Sequence, residues 1–205
     1  MEHDIESRLA QFEVAIQDTL DNITKCVAWI VEVTDDNLRY LLAERLTRLG
    51  TAALPGLRQV IDNAEAPSDA VYLAAWTALR LGDADPAARV LIREVQGDGK
   101  WMVPTAGALA RGRGSLQDDH LSAARQAVRE ALMRIDPSDA IVVSNLSAAL
   151  RDLGGILPEE VRAKVKANCP LWVISMIEQD FPDAMEELKE CNCSHGLSDR
   201  VDDSL

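Results

Sequence analysis

Apolar residues recur every three or four positions along most of this chain, which is the spacing of one face of an α-helix. The longest such stripe covers residues 4–33, with apolar side chains at Ile5, Leu9, Phe12, Ile16, Leu20, Ile23, Val27 and Ile30. No convincing run alternates apolar and polar residues beside a hairpin signal, so no β-sheet is indicated. The pattern predicts an all-α protein whose first helix packs its apolar stripe on the helices that follow.

Three apolar segments end in the same dipeptide, Leu-Gly, and divide the chain into similar units. The glycines are Gly50, Gly82 and Gly154, and a proline follows each of them after four or five residues. Glycine adopts the left-handed conformation that ends a helix at low cost, and proline fits the first turn of the next helix. The segment from Trp101 to Gly112 is a weaker copy. The spacing predicts four helical hairpins, each with an A helix that ends at a glycine and a B helix that begins near a proline.

Polar residues between these units are candidates for the N-caps of the A helices. Residues 34–37 and 136–139 contain aspartates at suitable positions, and Asp69 is expected to cap the second A helix. We predict one domain over residues 1–190, in which 1–36 form a cap helix, 37–168 the repeats and 169–190 a C-terminal cap. The polar segment 191–205 is expected to be poorly ordered.

The phrase from Glu44 to Leu57, ERLTRLGTAALPGL, resembles HEAT and HEAT-like repeats. The resemblance covers residues 37–168 and implies a right-handed α-α superhelix, a short solenoid of about four hairpins between cap helices. The third unit lacks the Leu-Gly-Pro phrase, so the exact repeat count stays open. HEAT-like proteins are mostly scaffolds that hold partners on a curved surface, although some, such as the DNA-alkylation-repair glycosylases and the phycobilin lyases, are enzymes.

Composition restricts the classes of partner. The formal net charge is −13 and the sequence pI about 4.6, which disfavours nucleic acid because phosphate binding needs a basic footprint. No apolar run reaches the length of a membrane span, and the N-terminus lacks the apolar core of a signal peptide. The four cysteines are too unevenly spaced for a disulfide framework, which favours a reducing, cytoplasmic location.

Arginines recur on the predicted B helices outside the apolar stripes, at Arg58, Arg89, Arg93, Arg125, Arg129 and Arg162. They are expected to face outward and to align along the concave surface of a solenoid. Guanidinium groups there would suit carboxylates or phosphates. The alternative is that they are solvated and pair with nearby acids such as Asp62, Glu94 and Glu130.

Two further groups of residues invite a chemical interpretation. Cys191, Cys193 and His195 offer soft ligands, but their spacing is tight and a fourth ligand is missing, so no metal is predicted. Trp101 with Arg111, Asp118 and Asp119 is the one arrangement that suggests a base-excision site. No catalytic motif is present, so we predict no catalytic residue and no cofactor.

The preferred hypothesis is therefore a non-enzymatic scaffold or adaptor that binds another protein, gripping an acidic peptide at the arginines. One alternative is an acidic immunity or inhibitor protein whose negative surface blocks a basic toxin. The other is a HEAT-like DNA-binding protein or an enzyme of the alkylpurine DNA glycosylase type.

Overall fold

A computed structural model describes residues 20–182, and this part of the chain is helical throughout, with no β-strand. The α-helices are α1 Leu20–Glu32, α2 Asp36–Leu49, α3 Leu54–Asp62, α4 Ser68–Arg80, α5 Ala84–Gln96, α6 Met102–Arg111, α7 Asp118–Arg134, α8 Ala140–Asp152, α9 Glu159–Asn168 and α10 Leu171–Asp180. Short 3₁₀ turns occupy Gly50–Ala53 and Arg113–Ser115. None of these helices is long and apolar enough to span a membrane.

The described part of the first predicted helix is present as α1, Leu20–Glu32, and the apolar stripe of this part is buried as expected. Ile23, Val27 and Ile30 are buried, and Cys26 on the same face is also inaccessible. Residues 4–19 of the predicted helix, and the C-terminal cap and tail beyond residue 182, lie outside the described residues. The predicted domain limits therefore stay predictions.

The three Leu-Gly glycines have the positive φ that the sequence predicts. Gly50, Gly82 and Gly154 have φ of +79°, +87° and +73°, and they are the only positive-φ residues in the described range. Gly112 of the weaker copy differs, because its φ is −83°. Glycine is needed there for space, since a Cβ atom would lie 2.7 Å from the side chain of Leu79.

Two of the predicted N-caps are confirmed and one is wrong. The Asp35 carboxylate accepts a hydrogen bond from the Leu38 amide at 2.8 Å, and Asp139 accepts one from the Val142 amide at 3.1 Å. Asp69 instead lies inside the first turn of α4, which begins after Pro67 without a side-chain cap. Its carboxylate accepts hydrogen bonds from Lys100 and Trp101, which directly precede α6.

The helices pack with others close to them in chain order. We call α2, α4, α6 and α8 the A helices and α3, α5, α7 and α9 the B helices. Each B helix contacts the next B helix, α2 contacts α4, and α6 contacts α8. The last helix, α10, packs beside α8 as a further member of the A series, and α1 covers α2, α3 and α4 at the other end. A continuous cluster of buried apolar side chains runs through the described helices from Ile23 to Phe181.

Polar contacts show that helices of one series run parallel. The Cys169 thiol donates to the Pro137 carbonyl at 2.8 Å just before α10 and α8 begin, while Arg151 and Asp180 pair at 2.6 Å near the ends of the same helices. The described helices therefore share two edges. We call them the A-start edge, where the A helices begin, and the A-end edge, where they end and the B helices begin.

Five arginines on neighbouring elements donate to carbonyls at helix C-termini. The last carbonyls of a helix lack intrahelical partners and carry partial negative charge, which a guanidinium group satisfies. The pairs are Arg39 with the Ile30 and Val33 carbonyls, Arg134 with Val95 and Gly97, Arg113 with Asp152, Arg125 with Leu153, and Arg162 with Phe181. Much of the arginine content thus holds one helix against another.

Candidate functional site

Four of the six predicted arginines lie on the neighbouring helices α5 and α7. Arg89 and Arg93 lie one turn apart on α5, Arg125 and Arg129 lie one turn apart on α7, and these two helices pack directly against each other. We call these four residues together with Gln126 the arginine face. The α7 part of it, with Asp119, Ser122 and Ala123, lines an open depression of about 540 Å³.

The arginines of this face differ in whether they already have hydrogen-bond partners among the described residues. Arg93 and Arg129 are exposed, and neither guanidinium group makes a hydrogen bond or ion pair with any described residue. Arg89 donates to Asp85 at 2.9 Å in an exposed pair one turn apart. The half-buried Arg125 donates its Nε–H to the Leu153 carbonyl at 2.8 Å. Because exposed ion pairs contribute little energy, Arg89 can exchange its partner as well.

The other two predicted arginines do not belong to this face. Arg58 holds Asp83 through two hydrogen bonds, Nε to Oδ2 at 2.6 Å and Nη2 to Oδ1 at 2.8 Å. The hydrogen bond to Asp83 and the charge of that carboxylate raise the pKa of Arg58. The expectation that Arg162 faces outward is wrong: the residue is 8% exposed, and it donates to the Phe181 carbonyl at 2.8 Å. The cause is α10, which packs on α9 and ends beside Arg162.

The acids around the arginine face have partners other than those expected from the sequence. Glu130 accepts a hydrogen bond from Gln126 at 2.8 Å and makes no ion pair with an arginine of this face. Asp62 has a weak electrostatic influence on Arg58, whose partner is Asp83. The expected pair of Arg58 with Asp62 is thus replaced by a contact with Asp83, and Glu130 pairs with Gln126 in place of an arginine.

The negative charge of the chain is concentrated outside the described residues. Residues 20–182 contain 22 acidic and 18 basic side chains, whereas residues 1–19 and 183–205 together contain 12 acidic and 3 basic ones. The helices described here are therefore close to neutral. A local basic surface such as the arginine face can exist on them despite the strongly acidic total.

A second polar cluster joins three A helices at the A-start edge. The Lys100 ammonium lies 2.9 Å from Asp36 Oδ2 and 3.0 Å from Asp69 Oδ2, and the Arg39 guanidinium lies 3.6 Å from Asp69. Burial acts to raise the pKa of Asp69, but hydrogen bonds from Trp101 and Lys100 and the two nearby cations outweigh it, so the pKa is lowered. The cluster has a structural function, since its charges are mutually paired.

The residues suggested for base excision are separated in the structure. Trp101 stacks on Tyr72 with ring centroids 4.4 Å apart and donates its indole N–H to Asp69. Arg111 is the last residue of the ten-residue α6, at the opposite end from Trp101, which places their backbones roughly 15 Å apart. Asp118 begins α7 at the A-end edge, also away from Trp101. Trp101 thus packs between helices.

The thiols show no reactive or metal-binding environment within the described range. Cys26 is buried and Cys169 half-buried, and burial raises the pKa of both thiols. No group of three or more potential metal ligands occurs between residues 20 and 182. The candidate ligands Cys191, Cys193 and His195 lie outside the described residues.

No protein-family model matches this chain, and neither a curated protein nor a solved structure does. The candidate site is therefore defined by its geometry and charge.

Sequence reasoning missed an exposed apolar group at the A-start edge. Ile141 in the first turn of α8 is 69% exposed, and Leu171 and Trp172 at the start of α10 are 81% and 55% exposed. The available signal was the Leu-Trp pair directly after Pro170, because two large apolar residues in the first turn of a terminal helix can lack a covering neighbour. The arginines that donate to helix ends were also missed, because their acceptors belong to other helices.

Proposed function

We propose that this protein is a binding module that holds an acidic segment of another protein on the arginine face. The observation that carries the proposal is the pair Arg93 and Arg129, two exposed guanidinium groups on adjacent parallel helices without partners among the described residues. Each has Arg89 or Arg125 one turn away on the same helix. Arginine binds carboxylates through paired N–H donors, which makes an acidic peptide the fitting ligand.

The fold that we propose for this module is a short HEAT-like, right-handed superhelix. Its support is the serial packing, in which each B helix contacts the next B helix and A helices contact in the pairs α2–α4, α6–α8 and α8–α10, together with the positive-φ glycine that closes three of the A helices. In such an array equivalent faces of successive helices form one extended surface. That arrangement would extend the arginine face along the B helices.

The proposal is tested by measuring how tightly the protein binds a fluorescently labelled oligoglutamate peptide, using fluorescence anisotropy at low salt. We expect Arg93→Ala with Arg129→Ala to weaken binding roughly 3- to 30-fold, since exposed ion pairs contribute about 0.3–1 kcal/mol each. Binding to the unsubstituted protein should weaken strongly as salt is added, because the contacts are solvent-exposed charges.

A matched control separates the arginine face from overall charge. Arg48 on α2 and Arg111 on α6 are exposed arginines of the A helices, so replacing both by Ala removes the same two charges elsewhere. This control should bind the peptide like the unsubstituted protein. Equal losses in the two double variants would contradict the proposal, and so would the absence of any binding at low salt.

The geometry of the described residues favours neither alternative function. The acidic inhibitor needs a free negative surface, but several acids at the A-end edge pair with bases: Asp83 with Arg58, Asp85 with Arg89 and Glu160 with Lys164. The glycosylase needs an assembled site, and its candidate residues lie at different ends of α6.

A further inference from the structure

We infer that residues 183–205 of this chain bind to the arginine face and compete there with an external acidic ligand. This inference concerns the surface of the proposed function, and it adds an occupant that the chain itself supplies. Three observations support it: where the described chain ends, how far the remaining residues reach, and their charge.

The described chain ends beside the B helices. The last residue of α10 is Asp180, and the next carbonyl, that of Phe181, accepts a hydrogen bond from Arg162 at 2.8 Å. Arg162 lies in the first turns of α9, and α9 contacts α7. The described chain therefore ends, at Pro182, one helix away from the α7 part of the arginine face.

The length of the segment is sufficient. Packed helices lie about 8–10 Å apart, so α7 is about 10 Å and α5 about 20 Å from α9. An extended chain covers about 3.3 Å per residue, so roughly seven residues span that distance. The segment contains 23 residues. A tethered segment of this length also has an effective concentration on the order of millimolar at the surface of its own protein. Contacts that are weak between separate molecules are therefore sufficient for this segment to bind.

The charge of the segment complements the arginine face. It contains seven acidic residues and two basic ones, and four of the acids occur within its first eight residues, at Asp183, Glu186, Glu187 and Glu190. Arg93 and Arg129, which have no partner among residues 20–182, are the groups that would receive them. The opposing acids are Asp119 and Glu130 on α7 and Glu159 and Glu160 at the start of α9. Of these, Glu160 is already paired with Lys164 at 3.0 Å, and Glu130 accepts a hydrogen bond from Gln126.

The test uses the full chain and a cysteine of the segment itself. A nitroxide label is attached at Cys193 after Cys169→Ser and Cys191→Ser, while Cys26 remains buried. We expect the label to broaden backbone amide resonances of α5 and α7 around Arg93 and Arg129. The broadening should be lost in the Arg93→Ala, Arg129→Ala variant and retained in the Arg48→Ala, Arg111→Ala control.

A second variant removes the negative charges of the segment and leaves the arginine face unchanged. Replacing Asp183 by Asn and Glu186, Glu187 and Glu190 by Gln should abolish the broadening and raise the affinity for the oligoglutamate peptide several-fold. The inference is overturned if α5 and α7 resonances are unaffected by the label, or if the broadening persists in either charge variant. Failure of the peptide to bind would refute only the proposed function, because the broadening is measured without the peptide.

Discussion

Arg39 gives the sharpest test of how the helices are held together. The residue is 4% exposed, and its guanidinium group donates to the Ile30 carbonyl at 3.0 Å and to the Val33 carbonyl at the end of α1. It also pairs with Asp36 at 3.2 Å and lies 3.6 Å from Asp69. Arg39→Met keeps an unbranched apolar side chain but removes every donor and the charge.

The expected cost follows from these contacts. A buried carbonyl that loses its donor costs about 1–3 kcal/mol, and removing one partner of a buried ion pair costs about 3–5 kcal/mol. Because Lys100 still neutralises Asp36 and Asp69, we place the total near the lower limit, at about 3 kcal/mol. For a chain of this size that corresponds to a fall in Tm of about 6–12 °C.

The assay is urea unfolding followed by far-UV circular dichroism, compared with thermal unfolding. Arg48→Met is the matched control, since Arg48 lies on the same helix but is exposed, and it should change the free energy of unfolding by less than about 0.5 kcal/mol. Arg39→Lys should fall between the two, because it keeps the charge but loses the fork of donors. If Arg39→Met were as stable as Arg48→Met, the reasoning that arginines join helices through their terminal carbonyls would be wrong.

Three further outcomes are expected. Gly112→Ala should lower the free energy of unfolding by about 1–3 kcal/mol, because the added Cβ clashes with Leu79. Gly82→Ala should lower it by about 1 kcal/mol, because φ is +87° at this residue. Urea titration measures both changes, and equal tolerance of alanine at the two glycines would contradict this reasoning. The pKa of Asp69 is lower in the folded protein than in the unfolded chain. The ionised carboxylate of Asp69 therefore stabilises the fold at pH values above the ordinary carboxyl pKa. This stabilisation is lost as the pH falls through the folded-state pKa of Asp69. Asp69→Asn should therefore reduce stability at neutral pH and reduce its loss on acidification; an unchanged pH profile would argue against the cluster. Cys26 should react with a thiol reagent only at the rate of unfolding, since burial makes it inaccessible and raises its pKa; rapid labelling of the native protein would show that α1 opens.

The arginine face shows why a site of this kind is only partly readable from sequence. Helical spacing correctly placed Arg93 and Arg129 on outward faces, because exposure on an amphipathic helix follows from the position of the apolar stripe. The same reasoning failed for Arg162, which lies off the apolar stripe of α9 yet is covered by α10. It also did not find the partner of Arg58, since Asp83 is 25 residues away and is brought close by packing.

The sequence by itself determined the helices and where they end. Apolar spacing, the prolines and the glycines Gly50, Gly82 and Gly154 act within a few residues, so their effect on the backbone can be predicted without knowing the neighbours. Only the tertiary structure decided which side chains meet. Gly112 is a glycine because Leu79 approaches it, and Asp69 joins Lys100 and Trp101 because two A helices begin at one edge. Such contacts depend on the position of a second helix, which no local pattern of residues encodes.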